Sequence, residues 1–292
     1  MRCWKHCATV NEITTALASL DDVRAIARRR GFDDTAFRLA LELAERGTVW
    51  AARDQSEVVG IAIAHASEAE RYVGELFVEP SYRGQGIGAE LLRATFLDAD
   101  DAARRALLDP NDAASMALGF RNGLAPTESL TRMAGAIPRE EELAKMAAGQ
   151  YRFHVDALDP ATHEFGLNSL DRDVRGTTRP SDHAFFARHA TGQAFFLNGE
   201  FVAYAYVWPD GRIGPLACTS QAYLVQIFAY ALVTLQRRHQ ASWCTALVPG
   251  SNLRIARAAL RAGLRIEEAN LIAGDSSVST MSTYIGYHAL LF

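Results

Sequence analysis

The sequence predicts an α+β fold in which two tandem copies of one unit each form a mixed central sheet flanked by helices. Hairpins of apolar strands alternate with amphipathic helices, which excludes an all-α or an all-β chain. The same order of features recurs at a spacing of roughly 140 residues, as expected for an internal duplication. The length of 292 residues suits two domains of ordinary size.

The composition is that of a globular protein. Hydrophobic residues make up 49% of the chain and charged residues 22%, which excludes a mainly disordered protein. The net charge of −4 provides no overall basic field for a nucleic-acid backbone, so no nucleic-acid partner is expected. The most apolar stretch, residues 222–235, is shorter than the roughly 20 residues of a membrane span. We interpret it as a buried helix and expect no membrane contact.

The cysteine content and the first residues favour a cytoplasmic protein. Four cysteines in the whole chain are too few for a disulfide scaffold. Cys3, His6 and Cys7 could hold a metal, but no second ligand pair follows at zinc-site spacing, so we predict a tail with free thiols and no metal. Residues 1–10 also lack the apolar core of a signal peptide.

The first half predicts a regular order of helices and strands. Apolar residues at helical or alternating spacing define them, and Gly47 and Pro80 end two of them. The predicted elements are helices over 21–30 and 34–46, strands over 48–52, 58–64 and 72–78, a helix over 88–98, a strand over 106–108, a short helix ending at Gly119, and a strand over 129–133. A polar turn between the first two strands predicts a hairpin.

The second half repeats several of these features. Strands over 193–197 and 201–206 flank an Asn198-Gly199 turn, a strong hairpin signal. Phe201 follows Val58 by 143 positions (201 − 58). In the same order, Asn252 follows Asn111 by 141 positions (252 − 111), and Gly263 follows Gly119 by 144 (263 − 119). Nearly equal spacings favour two copies of one unit.

A linker separates the two copies. Residues 136–150 contain Pro138 and then a run of charged side chains, which predicts a connecting segment with a solvated helix. We therefore expect a first domain over residues 8–135 and a second domain over residues 151–292.

The segment with the most specific chemistry lies between the third predicted strand and the following helix. It reads Leu76-Phe77-Val78-Glu79-Pro80-Ser81-Tyr82-Arg83-Gly84-Gln85-Gly86-Ile87-Gly88-Ala89. Glycines allow positive φ and close approach of a ligand, so successive N–H groups can converge on an anion in front of a helix N-terminus. An arginine in the same loop adds a positive charge suited to phosphate. These residues predict a phosphate or pyrophosphate site.

Other interpretations of this loop fit less well. No Gly-Lys-Ser/Thr follows, so it is not a P-loop. Gly84-x-Gly86-x-x-Ala89 matches the loose dinucleotide pattern, but that pattern begins directly after a strand, and here five residues intervene. A simple connector has little reason to carry three alternating glycines, because glycine weakens a helix by up to about 1 kcal/mol per residue.

The segment resembles the acyl-CoA loop of the GNAT superfamily of N-acetyltransferases, which reads Arg/Gln-x-x-Gly-x-Gly/Ala after a Leu-x-Val strand. Here Arg83-x-x-Gly86-x-Gly88 follows such a strand, and the likeness extends over about residues 8–135. The resemblance implies that acetyl-CoA is the co-substrate. It assigns to the cofactor site the strand residues Leu76, Phe77 and Val78, whose backbone pairs with the pantetheine arm, the pyrophosphate loop Arg83, Gly84, Gln85, Gly86, Ile87 and Gly88, and the helix-start asparagine Asn111.

The resemblance also implies catalytic roles, with one departure from the family pattern. Ser115 stands where the family often has a tyrosine that protonates the thiolate. Either Ser115, Tyr82 or a bound water replaces this acid, or the thiolate leaves unassisted, since a thiol pKa of about 8.5 makes it a fair leaving group. Glu75 is the candidate base for the acceptor amine, or else an exposed strand residue. The N–H of Val78 is expected to polarise the thioester carbonyl. We interpret Glu79 as a solvated turn residue.

The second half resembles a degenerate GNAT-like domain of the kind found in tandem proteins, on Asp171-x-Asp173-x-Arg175-Gly176-x-x-Arg179 and Gly214-Pro215-Leu216. The loop expected to hold pyrophosphate reads 217–221 and contains neither glycine nor arginine, and Ser220 is expected to cap the next helix. Two questions stay open. One is whether four polar residues form a metal site or a loop: Asp171, Asp173, Asp182 and His183. The other is whether Tyr204 and Tyr206 line an aromatic pocket or pack in the core.

These features predict an acetyl-CoA-dependent N-acetyltransferase that transfers an acetyl group to a primary amine by direct attack in the N-terminal domain. The acceptor is expected to be a small-molecule or peptide amine. The alternative is a non-catalytic acyl-CoA-binding or regulatory module. The sequence leaves a homodimer open and does not name the acceptor, because acceptor pockets are formed by variable loops.

Overall fold

The computed structural model describes residues 13–67, 69–97, 102–275 and 281–292. The chain divides into two compact units, one formed by residues 1–65 and 73–98, the other by residues 66–72 and 99–292. The candidate metal ligands Cys3, His6 and Cys7 lie outside the described residues.

The first unit combines two helices, an antiparallel sheet and the helix after the glycine-rich loop. Its elements are β1 (Ile13–Leu17), α1 (Leu20–Arg30), α2 (Asp34–Glu45), β2 (Val49–Asp54), β3 (Glu57–Ala66), β4 (Glu70–Val78) and α3 (Ile87–Phe96). The strands follow the order β1-β2-β3-β4, and the division between the units passes through β4 after Tyr72. All predicted elements of this region are confirmed, and β1 is an additional strand that the sequence did not predict.

Local signals explain where these elements begin and end. The Ser19 hydroxyl accepts a hydrogen bond from the Asp22 N–H at 3.2 Å, and the Asp22 carboxylate accepts one from the Ser19 N–H, which forms a capping box for α1. Gly31, at a φ of 64°, ends α1 in the left-handed conformation. The hairpin turn is narrower than predicted and consists of Gln55 and Ser56 between β2 and β3.

The second unit contains the remaining strands in one sheet. Its elements are β5 (Ala103–Leu108), α4 (Ala113–Arg121), β6 (Ala125–Ala136), α5 (Glu140–Ala147), β7 (His154–Ala157), α6 (Glu164–Arg175), α7 (Pro180–His189), β8 (Thr191–Leu197), β9 (Glu200–Val207), β10 (Arg212–Cys218), α8 (Leu224–His239), β11 (Trp243–Pro249), α9 (Leu253–Arg261), β12 (Arg265–Gly274) and β13 (Tyr284–Ile285). The strand order is β5-β12-β6-β11-β10-β9-β8-β7, and β13 pairs with β10.

The strands of the two sequence halves are interleaved in this sheet. β6 pairs with both β11 and β12, and β12 also pairs with β5, all antiparallel. Ion pairs across β6 and β12 join Arg132 to Glu267 at 2.6 Å and to Glu268 at 3.2 Å. β6 is therefore a long inner strand rather than the short last strand predicted over 129–133. That residues 8–135 and 151–292 form separate domains joined by residues 136–150 stays a prediction.

The internal repeat is present, but its register differs from the predicted one. Asp112 and Asn252 cap α4 and α9 and lie 140 positions apart (252 − 112), and the turn glycines Gly123 and Gly263 share the same spacing (263 − 123). The predicted pairing of Gly119 with Gly263 is wrong, because Gly119 lies inside α4, where an added Cβ would stand 2.6 Å from Leu108 Cδ1. The turn after the helix is formed by Gly123, at a φ of 76°.

Three predictions about helices of the second unit have different outcomes. The apolar stretch over 222–235 forms α8, whose inner face is buried, as predicted. The helix in the linker segment, α5, is not fully solvated, because Leu143 is 1% exposed and packs in the same hydrophobic cluster as Leu224 and Ile227 of α8. Ser220 does not cap α8; its hydroxyl accepts a hydrogen bond from the Ala222 N–H at 3.2 Å, and the helix begins later, after Tyr223.

A buried polar cluster connects α6, α7 and β9. The Asp171 carboxylate accepts hydrogen bonds from the Arg179 guanidinium, at 3.1 and 3.4 Å, and from the Tyr204 hydroxyl. It also lies 2.8 Å from Nε2 of His183, whose Nδ1 is 3.1 Å from the Tyr206 hydroxyl. Burial opposes ionisation of Asp171, but Arg179 and His183 hold the pKa of this carboxyl below its usual range.

The structure bears on both questions left open by the sequence. Tyr204 and Tyr206 are fully buried and pack in the core, as the simpler interpretation held. Neither a loop nor a metal site is found at the four polar residues: Asp171 and the exposed Asp173 lie on α6, and Asp182 and His183 on α7. Within the described residues, no three His, Cys, Asp or Glu side chains are grouped as a metal site requires.

We predict that Asp171→Asn lowers the free energy of unfolding by about 3–5 kcal/mol at neutral pH, because it removes the carboxylate that forms the buried ion pair with Arg179. Urea denaturation monitored by circular dichroism measures the loss. Because the folded protein lowers the pKa of Asp171, the stabilisation is present above the unfolded pKa of about 3.9 and is lost as the pH falls through the lower folded value.

The matched control for this variant is Asp173→Asn, which removes an exposed carboxylate from the same helix. It should change the free energy of unfolding by no more than about 0.5 kcal/mol. Equal losses in both variants would show that the buried ion pair contributes nothing specific.

Candidate active site

The candidate site lies in the first unit, where β4 leads into α3. Leu76, Phe77 and Val78 are the last three residues of β4 and are half-buried. A single 3₁₀ turn, Pro80–Tyr82, follows the strand, and the glycine-rich loop then leads into α3 at Ile87. The predicted order of strand, loop and helix is therefore confirmed.

Two glycines give the loop a backbone that other residues rarely adopt. Gly84 has a φ of 77° and Gly86 a φ of 85°, and no atom stands within 4 Å of a Cβ built on either residue. Gly86 is the N-cap of α3 and supplies no side chain to its first N–H groups. The positive end of the helix is thus left open to a ligand on the loop side.

Arg83 is available to an anion. Its Nε donates a hydrogen bond to the Val78 carbonyl at 3.0 Å, which fixes the guanidinium beside the end of β4. The side chain is exposed, and no acidic residue of the described segments forms an ion pair with it. Gln85 stabilises the loop from within, because its amide donates to the Ser81 carbonyl at 3.4 Å. Arg83 can therefore present its two terminal nitrogens to a phosphate.

Hydrogen bonds attach the turn before the loop to the sheet. The Glu79 N–H donates to the Val59 carbonyl at 2.8 Å, and the Glu79 carboxylate pairs with Arg29 at 2.7 Å. The Glu79 side chain is only 20% exposed, so the prediction of a solvated turn residue is wrong. The sequence did not reveal this pair, because Arg29 lies 50 positions away on α1.

Tyr82 also has a partner. Its hydroxyl donates to Asp54 Oδ2 at 2.8 Å, and this hydrogen bond to a carboxylate raises the pKa of Tyr82. The phenolic proton is thus committed to Asp54 and is harder to remove, which makes Tyr82 a poor candidate for the acid that protonates a thiolate.

Glu75 carries an ion pair that the sequence did not predict. Arg30 donates from Nε and from a terminal nitrogen to Oε1 of Glu75, at 3.1 and 2.8 Å, and its guanidinium lies 4.9 Å from the centre of the Phe77 ring. The Glu75 side chain is 20% exposed, and Oε2 accepts no hydrogen bond within the described segments. One oxygen is therefore free to accept a proton, while the other is fixed by Arg30.

Gly60, on β3, is a further residue that positions the site. A Cβ on Gly60 would stand 3.1 Å from the Phe77 carbonyl oxygen and 3.1 Å from Leu91 of α3. The absence of a side chain lets β3 lie close beside the end of β4 and lets α3 pack closely on β3. Nothing in the sequence around Gly60 distinguishes it from other strand glycines.

Asn111 and Ser115 belong to the second unit, in the turn after β5. The Asn111 side chain is exposed, and its backbone N–H donates to Asp109 Oδ1 at 2.8 Å. Asn111 precedes the N-cap of α4, which is Asp112. The Ser115 hydroxyl accepts a hydrogen bond from the Asp109 N–H at 3.2 Å and keeps its own proton to donate.

Comparison with known families decides the nature of this region. Residues 45–121 match the family model of the acetyltransferase (GNAT) domain. The chain carries a GNAT acyltransferase domain. The match includes the candidate loop as well as Asn111 and Ser115. Among curated proteins none matches the sequence.

Solved structures share the fold over nearly the whole chain. A putative acetyltransferase from Pyrococcus horikoshii is 14% identical, with a TM-score of 0.72 over 100% of this chain and 99% of that chain. A GCN5-related N-acetyltransferase from Sphaerobacter thermophilus is 15% identical, with a TM-score of 0.64 over 92% and 98% of the two chains. A tandem GNAT protein from the clavulanic acid biosynthesis pathway is 14% identical, with a TM-score of 0.60 over 92% and 99%. The α+β fold with tandem GNAT architecture is thus confirmed. None of the helices in the described segments is long and apolar enough to cross a membrane.

Proposed function

We propose that this GNAT protein is an acetyl-CoA-dependent N-acetyltransferase that acetylates a primary amine by direct attack. The observation that carries the proposal is the loop of Arg83–Gly88. Two left-handed glycines leave the N-terminus of α3 uncapped there, beside an arginine that forms no ion pair with any described residue. This arrangement suits a pyrophosphate, which needs several converging N–H donors and a fixed positive charge.

The proposed cofactor site extends from this loop along the end of β4. Arg83 and the backbone of Gly84 to Gly88 would hold the pyrophosphate, and the backbone of Leu76, Phe77 and Val78 would pair with the pantetheine arm. Gly60 supports this assignment, because it lets β3 lie close beside Phe77. This close packing fixes the end of β4, whose backbone would pair with the pantetheine arm. Asn111 is proposed for the same site on the family pattern alone.

The proposed chemistry uses few side chains. Acetyl-CoA, when bound, supplies a thioester at which the amine forms a C–N bond while the C–S bond breaks. The Val78 N–H would polarise the carbonyl, and the free Oε2 of Glu75 would accept the proton lost by the amine. Ser115 retains a proton that it could donate to the thiolate. A thiol pKa of about 8.5 also lets the thiolate leave unassisted.

A second candidate function is an acyl-CoA-binding or regulatory module without catalysis. The serine at position 115 in place of a tyrosine and the ion pair between Glu75 and Arg30 favour it. Incubation with acetyl-CoA and a panel of small-molecule and peptide amines separates the two, because only an enzyme releases free CoA thiol in proportion to acetylated amine.

In either case we propose a cytoplasmic protein. Its second half would form the acceptor pocket or an interface, including that of a homodimer.

We predict that Arg83→Glu weakens acetyl-CoA binding at least tenfold, or about 1.5 kcal/mol, because it places a negative charge against the pyrophosphate. Isothermal titration calorimetry measures the change. Arg38→Glu is the matched control, since Arg38 is an exposed arginine of α2 in the same unit and the net charge changes equally. Unchanged affinity in a folded Arg83→Glu protein would remove the loop from the cofactor site.

We predict that Glu75→Gln lowers turnover about a hundredfold at neutral pH while acetyl-CoA affinity is unchanged, because the amide keeps the shape and loses the base. Steady-state kinetics with thiol detection measures turnover. Glu79→Gln is the matched control, because Glu79 is equally exposed and pairs with the neighbouring arginine of α1. A loss of less than threefold, or an equal loss in both variants, would make Glu75 a structural residue.

We predict one acetyl-CoA per chain. The loop over 217–221 has a Cβ at every position, and no residue in it has a positive φ. Close backbone approach to a pyrophosphate is therefore disfavoured in the second half. Calorimetric stoichiometry tests the prediction directly, and two equivalent acetyl-CoA sites would show that the second half is not degenerate.

A further inference from the structure

A groove with a basic lining lies in the second unit among α5, α8 and α9. Its volume is about 670 Å³. Four cationic side chains line it, one from α5 and three from α9: Lys145, Arg254, Arg257 and Arg261. One carboxylate, that of Glu142, is also part of the lining, so positive charge is in clear excess.

The amphipathic pattern of α9 directs these arginines to the groove. Ile255 and Ala259 are buried against the sheet, which fixes the inner face of the helix. Arg254, Arg257 and Arg261 follow one another at intervals of three and four positions and therefore share another face. The side-chain amide of Asn252 caps α9 by accepting from the Ile255 N–H at 3.2 Å, which sets where the helix begins.

The four cations of the groove form no ion pair with any acidic residue in the described part of the chain. Arg254 donates to the Gln221 carbonyl at 2.9 Å, and Arg257, Arg261 and Lys145 form no ion pair within the described segments. Glu142 is committed in part to its own helix, because its carboxylate accepts from the Arg139 N–H at 3.3 Å. Clustering like charges without acidic partners is unfavourable, so an anionic ligand would relieve the repulsion.

The remaining lining indicates what else the ligand carries. Met146 of α5 and Val225 of α8 contribute apolar surface. α8 also starts at this groove without a side-chain cap, which adds the positive end of a 16-residue helix. The volume is that of a small-molecule site. We infer that this groove binds a phosphorylated small molecule with an apolar or aromatic portion, such as a nucleoside polyphosphate.

The groove would bind phosphate through different groups from those of the loop over residues 83–88. There the glycines bring backbone N–H groups to the anion, whereas the groove relies on arginine side chains, whose planar forks match phosphate oxygens. Exposed charges are screened by salt, so binding in the groove should weaken as ionic strength rises.

The test uses the Arg83→Glu protein, in which the anion site that we propose at residues 83–88 is weakened. ATP and inorganic pyrophosphate are the probes in calorimetric titrations. Both probes should bind saturably, ATP more tightly than pyrophosphate because of the apolar lining. Adding Arg257→Glu and Arg261→Glu should raise both Kd values at least tenfold. Adding Arg172→Glu instead should change them less than twofold, because Arg172 is an exposed arginine of α6 outside the groove. Melting temperatures check that each variant is folded.

Several outcomes would overturn the inference. One such outcome is that neither ATP nor pyrophosphate binds saturably. Another is that binding is unchanged by the Arg257→Glu and Arg261→Glu substitutions. ATP binding no tighter than pyrophosphate would overturn the assignment of an apolar portion. A titration with CoA shows whether the phosphate ligand of the groove can be CoA itself. CoA binding that is lost when Arg257 and Arg261 are changed to Glu would confirm a phosphate site in the groove. It would also contradict the prediction of one acetyl-CoA per chain.

Discussion

The open N-terminus of α3 is the constraint on which the candidate site depends. A helix that begins with Gly86 in a left-handed conformation gives up a side-chain cap, and its first N–H groups need another partner. The surrounding residues maintain this arrangement: Arg83 is fixed to the Val78 carbonyl, Tyr82 to Asp54, and Glu79 to Arg29. Each of these contacts joins a residue of the turn or loop to a helix or strand: β4, β2 and α1, respectively. These contacts fix the loop in the conformation that would bind the anion we propose, so little ordering would be needed on binding.

The second unit is stabilised in a different way. A buried network around Asp171 contributes to its stability, in which a carboxylate, the Arg179 guanidinium, an imidazole and three phenols bond to one another. Such a network specifies how α6 and α7 pack on β9, because each donor finds its acceptor in only one arrangement. The basic groove at α9 differs from this network, since its arginines are exposed and form no ion pair within the described residues.

The sequence predicted the features that depend on neighbouring residues. The hairpins, the helices of the first unit and the strand–loop–helix segment at residues 76–92 followed from local periodicity and glycine spacing. Features that depend on distant residues escaped prediction. Arg30 and Glu75 are 45 positions apart, and no local pattern relates them. β6 reads as a short strand because Pro126 and Glu128 interrupt it, and only β11 and β12 as neighbours account for its length. The helix turn was assigned to Gly119 instead of Gly123 for a similar reason, because only the packing against Leu108 shows that Gly119 is inside α4.

The interleaving of β6 with β11 and β12 has a consequence for the unity of the polypeptide. A cut anywhere in residues 137–150 would leave β6 on one fragment and both of its hydrogen-bonding neighbours on the other. Each fragment would expose unpaired strand edges, and the two could satisfy them only by recombining. Residues 137–150 therefore join two parts of one sheet. A protein cut there would be held together by the pairing of β6 with β11 and β12 rather than by the continuous backbone.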